Sequence, residues 1–167
     1  MPELKSEAIA LGDSDRLRAI LRDICATTGM RFAAVARVTE QRWIACLVED
    51  RIEFGLDPGG ELKVRETICD EIRDSGEAVV FDDASDDIKW SRHPVPVIYG
   101  FKSYCSFPVY LDDGSFFGTL CAIDPEPRHV ADDAIVAMFS DYAKAVGAIL
   151  SEALDVAQPT AVLAPPA

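Results

Sequence analysis

No C-x-x-C pair, no H-x-x-x-H spacing, no G-x-S-x-G elbow and no phosphate-binding P-loop occurs in this sequence, and its only histidines are His93 and His129. These absences count against a structural zinc site and leave a Ser-His-Asp set few ways to form. Positive charge is scarce as well. Sixteen Lys and Arg stand against 29 Asp and Glu, a net charge of -13, and no Lys/Arg run interrupts the acidic surface. Phosphate backbones and anionic lipid surfaces would be repelled, so neither nucleic acid nor a membrane is an expected partner. No apolar run approaches the roughly 20 residues of a membrane helix, and the first 14 residues lack an apolar core of signal length. The five cysteines, an odd number with no leader before them, read as reduced thiols, and the expected compartment is the cytoplasm.

What is present suits one folded unit. A chain of 167 residues that is 49% hydrophobic and 27% charged can bury a sizeable core. The expected division is an N-terminal arm or short helix over 1–13, one domain over 14–155, and a disordered Ala/Pro-rich tail over 156–167.

The most legible stretch is residues 101–124. Two runs rich in aromatic and β-branched residues flank Asp112-Asp113-Gly114-Ser115, which predicts a β-hairpin closed by an Asp-Gly turn. Neither face of its first strand is charged, so both faces are expected to be covered. Ahead of it, Ser14 can cap a helix carrying Leu17, Ile20, Leu21 and Ile24 on one face, with Gly29 as terminator. Strands are predicted over 32–38 and 42–49, a weaker one near 51–54, a helix over 64–74 ended by Gly76, and a short buried strand over 78–81. From Asp82 to Gly100 the chain is polar and irregular. Its cluster Asp82, Asp83, Asp86 and Asp87 lacks the spacing and glycine of a calcium loop and reads as solvated.

A long helix over 131–155 closes the pattern. Ile135, Phe139, Tyr142, Val146, Ile149 and Ala153 recur at spacings of 4, 3, 4, 3 and 4, which suits either packing on the chain's own sheet or a dimer seam shared with a second copy. The fold class is α+β, a mainly antiparallel sheet with helices at both ends of the sequence.

The fragments Glu66-Thr67-Ile68-Cys69, Gly76 to Asp83, His93-Pro94, Tyr99-Gly100-Phe101-Lys102-Ser103-Tyr104, Phe107-Pro108-Val109, Asp113 to Asp124 and Pro127-Arg128 together resemble bacterial GAF domains, closest to modules that accompany sensor histidine kinases and cyclic-dinucleotide enzymes. The resemblance covers roughly residues 14–155. It implies a GAF/PAS-like sheet of five to six antiparallel strands, with N- and C-terminal helices on one face and a ligand-pocket crossover on the other. It also implies a small-molecule-sensing signalling module, a homodimer through the terminal helices, and a downstream signalling protein as partner. The ligand is not implied, since family members take cyclic nucleotides, tetrapyrroles, haem, amino acids or nothing known.

Ligand-binding residues are expected in the crossover and beside the hairpin: Asp82, Trp90, His93, Tyr99, Ser103 and Thr119, with Thr67 and Cys69 from the preceding helix. Alternatively, Trp90 and Tyr99 fill the core under a long loop and the domain is a ligand-free dimerisation scaffold. No catalytic or metal-ligating residue is expected. The resemblance carries one enzymatic alternative, the free methionine sulfoxide reductases. Cys69 stands close to one of their cysteines, but their catalytic cysteine falls near Val97, and Cys105 and Cys121 read as buried core. In the photoreceptor branch a Cys-His pair attaches a bilin where this chain has Ser91-Arg92-His93, so no covalent cofactor is expected. Non-covalent tetrapyrrole or metabolite binding at His93, Trp90 and Tyr99 stays open.

Overall fold

A computed structural model describes residues 2–63, 67–86 and 100–157. Residues 2–12 form helix α1 (Pro2–Gly12), docked through Ala8 and Leu11, so the arm is part of the core. Helix α2 (Asp15–Thr28) begins where expected: the Ser14 hydroxyl accepts from the Leu17 backbone N–H at 3.3 Å, and Gly29 at φ 78° returns its N–H to the Cys25 carbonyl. Strands β1 (Phe32–Val38) and β2 (Trp43–Asp50) follow, then the two-residue β3 (Glu61–Leu62), helix α3 (Ile68–Ser75), β4 (Val79–Phe81), a single 3-10 turn (Ala84–Asp86), β5 (Ser103–Tyr110), β6 (Phe116–Asp124) and helix α4 (Asp133–Ala157).

The strands form one antiparallel six-stranded sheet in the order β3-β2-β1-β6-β5-β4. The predicted hairpin is β5–β6. Its Asp113 carboxylate accepts the Ser115 backbone N–H at 2.9 Å, and Leu111 N–H bonds Ser115 O at 2.9 Å.

One expected strand is absent. Residues 51–54 form a loop folded around Asp50, whose carboxylate accepts the backbone N–H groups of Ile52, Phe54 and Gly55 at 3.2, 3.0 and 3.0 Å while Glu53 takes φ 54°. A local acceptor satisfying three nearby donors outcompetes a ladder there. The strand next to β2 is instead β3, which meets it only at Trp43–Leu62 and Ile44–Glu61.

Strand periodicity divides the core in two. On one face Ala33, Val35, Ile44, Cys105, Phe107, Val109 and Ala122 pack under α1, α2 and α4. On the other, Phe32, Ala34, Ala36, Trp43, Ala45, Tyr104, Cys121 and Ile123 meet α3 and the segments around Leu56 and Phe101.

The α4 stripe is spent largely within the chain, which corrects the seam expectation for half its members. Phe139 and Val146 are wholly buried, Ile149 nearly so, and the Phe139 ring stacks on Phe107 at 5.5 Å. A 4-3-4 spacing marks a stripe without saying what covers it, and here it is the helix face of the sheet. Ile135, Tyr142 and Ala153 remain half-buried at its margin, and the Tyr142 hydroxyl donates to Asp23 of α2. By length and mean hydropathy alone α4 could cross a bilayer. Gly147 lets it approach β5 closely, since a Cβ there would collide with the Tyr110 carbonyl oxygen.

Candidate functional site

The face opposite the helices carries a cavity of about 50 Å³ between the sheet and α3. Phe32 from β1, Trp43 from β2, Tyr104 from β5, and Cys121 with Ile123 from β6 form its floor. Thr67, Ile68 and Cys69 descend from the start of α3, while Phe54, Leu56 and Phe101 close the sides. Phe101, Tyr104 and Phe81 make a stacked aromatic wall with ring centroids 5.2–6.3 Å apart.

Polar chemistry concentrates around one sulfur. Cys69 Sγ lies 3.1 Å from Thr119 Oγ1, 3.7 Å from Tyr104 Oη and 3.8 Å from Ser106 Oγ. Alternation brings this about, because Thr119 and Cys121 are two apart on β6 and Ser106 pairs with Cys121 across the ladder. Cys69 is also the second residue of α3, where unpaired backbone N–H groups favour a thiolate. Its pKa is lowered, first by the Cys121 thiol as hydrogen-bond donor and then by the Thr119 and Tyr104 hydroxyls, against an opposing effect of burial. Cys121 moves the other way, raised well above its usual range because it yields its hydrogen bond to Cys69 and is itself desolvated. The two opposite shifts have one cause, the hydrogen bond that the thiols share, and belong to the pair. Burial pushes Tyr104 up, and the Cys69 charge adds to this.

Trp43 adds a donor without an acceptor. Its side chain is 3% exposed, and its indole N–H makes no hydrogen bond of standard geometry. A buried orphan donor costs about 1–3 kcal/mol.

Of the residues expected to bind a ligand, the structure brings Thr67 and Cys69 to this cavity, with Thr119 behind them against the Cys69 sulfur. Ser103 and Asp82 are elsewhere. The Ser103 hydroxyl donates to the Glu126 carbonyl at 2.8 Å, tying β5 to the loop after β6. The Asp82 carboxylate accepts the Val130 and Ala131 backbone N–H groups, both at 2.7 Å, and so holds the chain entering α4. Trp90, His93 and Tyr99 lie outside the described residues, as do Val97 and Asp87 of the acidic cluster. Among the described residues no group of three or more His, Cys, Asp or Glu is placed to hold a metal ion.

Sequence reasoning missed Trp43 and Tyr104 and left Cys121 as inert core. Strand alternation could have found them: Trp43 shares a face with Ala45, and Tyr104 and Cys121 share one with Ile123. What no pattern shows is that Cys69, from a helix 52 positions earlier in the chain, lines the same cavity as Cys121.

An antiparallel sheet with terminal helices on one face and a small, mostly apolar cavity under a short helix on the other defines an α+β domain built around a potential ligand site. The GAF domain family matches residues 14–150, and the chain belongs to that family. Curated proteins give no match. Among solved structures it is similar to the GAF domain of an Acinetobacter phosphoenolpyruvate-protein phosphotransferase (15% identity, TM-score 0.67, covering 88% of this chain and 85% of that one). It is similar also to a domain of a two-component sensor histidine kinase protein from Sinorhizobium meliloti 1021 (17%, TM-score 0.59, 85% and 93%). A third is the type II free methionine-R-sulfoxide reductase from Thermoplasma acidophilum (13%, TM-score 0.63, 89% and 96%). At such identities the likeness is one of fold.

Proposed function

We propose that this GAF domain is a sensory module whose input site is the cavity beneath α3, and that it signals through its terminal helices to a second copy and a downstream signalling protein. The carrying observation is the Trp43 indole N–H, buried at the cavity without a partner. An occupant with a hydrogen-bond acceptor would relieve that cost, while the aromatic walls favour an otherwise apolar body. At about 50 Å³ the space suits a ligand of a few heavy atoms. Sites for drug-sized ligands run to roughly 300–1,000 Å³, so a tetrapyrrole does not fit the space as it stands.

Transmission would use the alternation of the sheet. Tyr104 and Cys121 face the cavity, while their neighbours Cys105 and Ala122 face the helices, and Phe107 two positions on stacks against Phe139 of α4. A ligand shifts the helices only if it binds two arrangements of this sheet with different affinity. Calorimetry against a panel of small metabolites should give saturable heat that is lost or strongly reduced in Trp43→Phe. Absence of heat across the panel, or equal binding by Trp43→Phe, would overturn the site.

The lowered Cys69 beside Cys121 favours a second reading, a thiol-dependent methionine sulfoxide reductase. Turnover of free methionine sulfoxide that disappears in Cys69→Ser would establish it over sensing.

A further inference from the structure

The Cys69–Cys121 pair brings together four features that a structural thiol does not need. Both thiols line the cavity, Cys69 sits at the start of a helix, Cys69 has the Thr119, Tyr104 and Ser106 hydroxyls around it, and the two members come from elements far apart in the chain. The other cysteines, Cys25, Cys46 and Cys105, are buried against the helix face, away from the cavity.

We propose that Cys69 and Cys121 form an oxidisable dithiol in which Cys69 is the site attacked by a small peroxide and Cys121 the resolving thiol, so that oxidation links α3 to β6 by a disulfide. This takes the sensory role above and supplies its input as a chemical event rather than a resident ligand. The cavity size fits the reagent, since its volume exceeds the roughly 30 Å³ share of one water and hydrogen peroxide is only modestly larger.

The chemistry balances with peroxide as the two-electron oxidant. The Cys69 thiolate attacks one peroxide oxygen, the O–O bond breaks, and a sulfenic acid forms on Cys69 while the departing hydroxide takes up a proton to become water. The Cys121 sulfur then attacks the sulfenic sulfur, the S–O bond breaks, and the hydroxyl leaves with the Cys121 proton as a second water. Two thiols lose two electrons and peroxide becomes two waters. The Thr119, Tyr104 and Ser106 hydroxyls supply hydrogen bonds for the thiolate. Because Cys121 retains its proton, the two sulfurs do not repel one another as charges.

A disulfide would constrain α3 against the sheet at the wall of the cavity. Its sulfurs must close to about 2.05 Å with the Cα atoms within about 7 Å, so the bond fixes the start of α3 against β6. Oxidation is thus read out as movement of the same wall that a ligand would touch.

The test is stoichiometric hydrogen peroxide on the folded full chain, followed by acid quench, alkylation of remaining thiols under denaturing conditions, and mass spectrometry without reductant. The expected product has lost two hydrogens and carries a Cys69–Cys121 cross-linked peptide, with Cys25, Cys46 and Cys105 alkylated, and it forms about tenfold or more faster than oxidation at those three. Cys69→Ser should abolish the cross-link. Cys121→Ala should leave a Cys69 sulfenic acid that dimedone captures, which keeps the proposal testable should one variant fold poorly. First oxidation at Cys25, Cys46 or Cys105, or a Cys69 that resists peroxide while the protein remains folded, would overturn it. Calorimetric ligand binding without thiol oxidation would leave the sensory reading standing and remove this one. A cross-link without any ligand heat would do the reverse for the resident-ligand site. Reduction of methionine sulfoxide, with the same disulfide formed at its expense, would replace a peroxide by a sulfoxide as oxidant and overturn the sensor assignment.

Discussion

Asp124 shows how much one side chain can hold. Its carboxylate is fully buried and accepts hydrogen bonds from the Arg31 backbone N–H at 2.9 Å, from Arg31 Nε and Nη2 at 2.9 and 3.0 Å, and from the Glu126 backbone N–H at 3.0 Å, with Arg128 Nε 3.3 Å away. Burial pushes its pKa up, but the Arg31 and backbone hydrogen bonds together with the Arg128 charge overcome this and hold it below the usual carboxylate range. A depressed folded-state pKa gives stability that is present above the unfolded value of about 3.9 and is lost as pH falls through the folded value. Asp124→Asn should therefore cost about 2 kcal/mol at pH 7, toward the lower end for a charged hydrogen bond because Arg31 is 40% exposed. The deficit should shrink below pH 4. Urea unfolding of both proteins at pH 7 and pH 3 checks this, and a deficit unchanged between the two would contradict the ionic account. The signals for this residue in the sequence were slight: Asp124 was legible only as the end of a strand, because its partners Arg31 and Arg128 lie at two separate chain positions.

At the scale of elements, caps and turns were readable because their physics is local. Ser14, Gly29, Gly76 and the Asp113-Gly114 turn all act where expected, each satisfying backbone groups within a few residues of itself. The strand expected near 51–54 failed for an equally local reason, the Asp50 carboxylate taking three backbone donors. Gly147 was harder, since in the sequence it is a helix-weakening residue and in the structure it is a point of contact. Gly147→Ala gains about 1 kcal/mol in helix propensity. The Cβ would meet the Tyr110 carbonyl, and relieving that overlap costs about 1–3 kcal/mol, so the net effect should be destabilising. A higher melting temperature for Gly147→Ala would show that α4 can move away from β5 at little cost.

For the whole molecule the open quantity is pairing. The proposed homodimer has to use what α4 leaves uncovered, the margin around Ile135, Tyr142 and Ala153, because Phe139, Val146 and Ile149 are consumed inside the chain. Sedimentation at micromolar concentration should show a dimer that Ile135→Glu dissociates without loss of far-UV circular dichroism. A monomer under those conditions would remove helix pairing from the signalling proposal. A charge at Val146 would not serve as the test, since it would be buried in the folded monomer and would unfold it.

By itself the sequence determined the α+β class, the hairpin and the amphipathic helices, because periodicity, capping and turn chemistry operate over a few residues and survive without knowledge of the rest; the family was legible as a resemblance carried by the order of its motifs. Only the tertiary structure assembled the candidate site. Alternation along β6 presents Thr119 and Cys121 to one face, the ladder brings Ser106 beside them, and the start of α3 lowers Cys69 onto the same place. Those proximities depend on strand order and register across more than 50 residues, which no local pattern encodes.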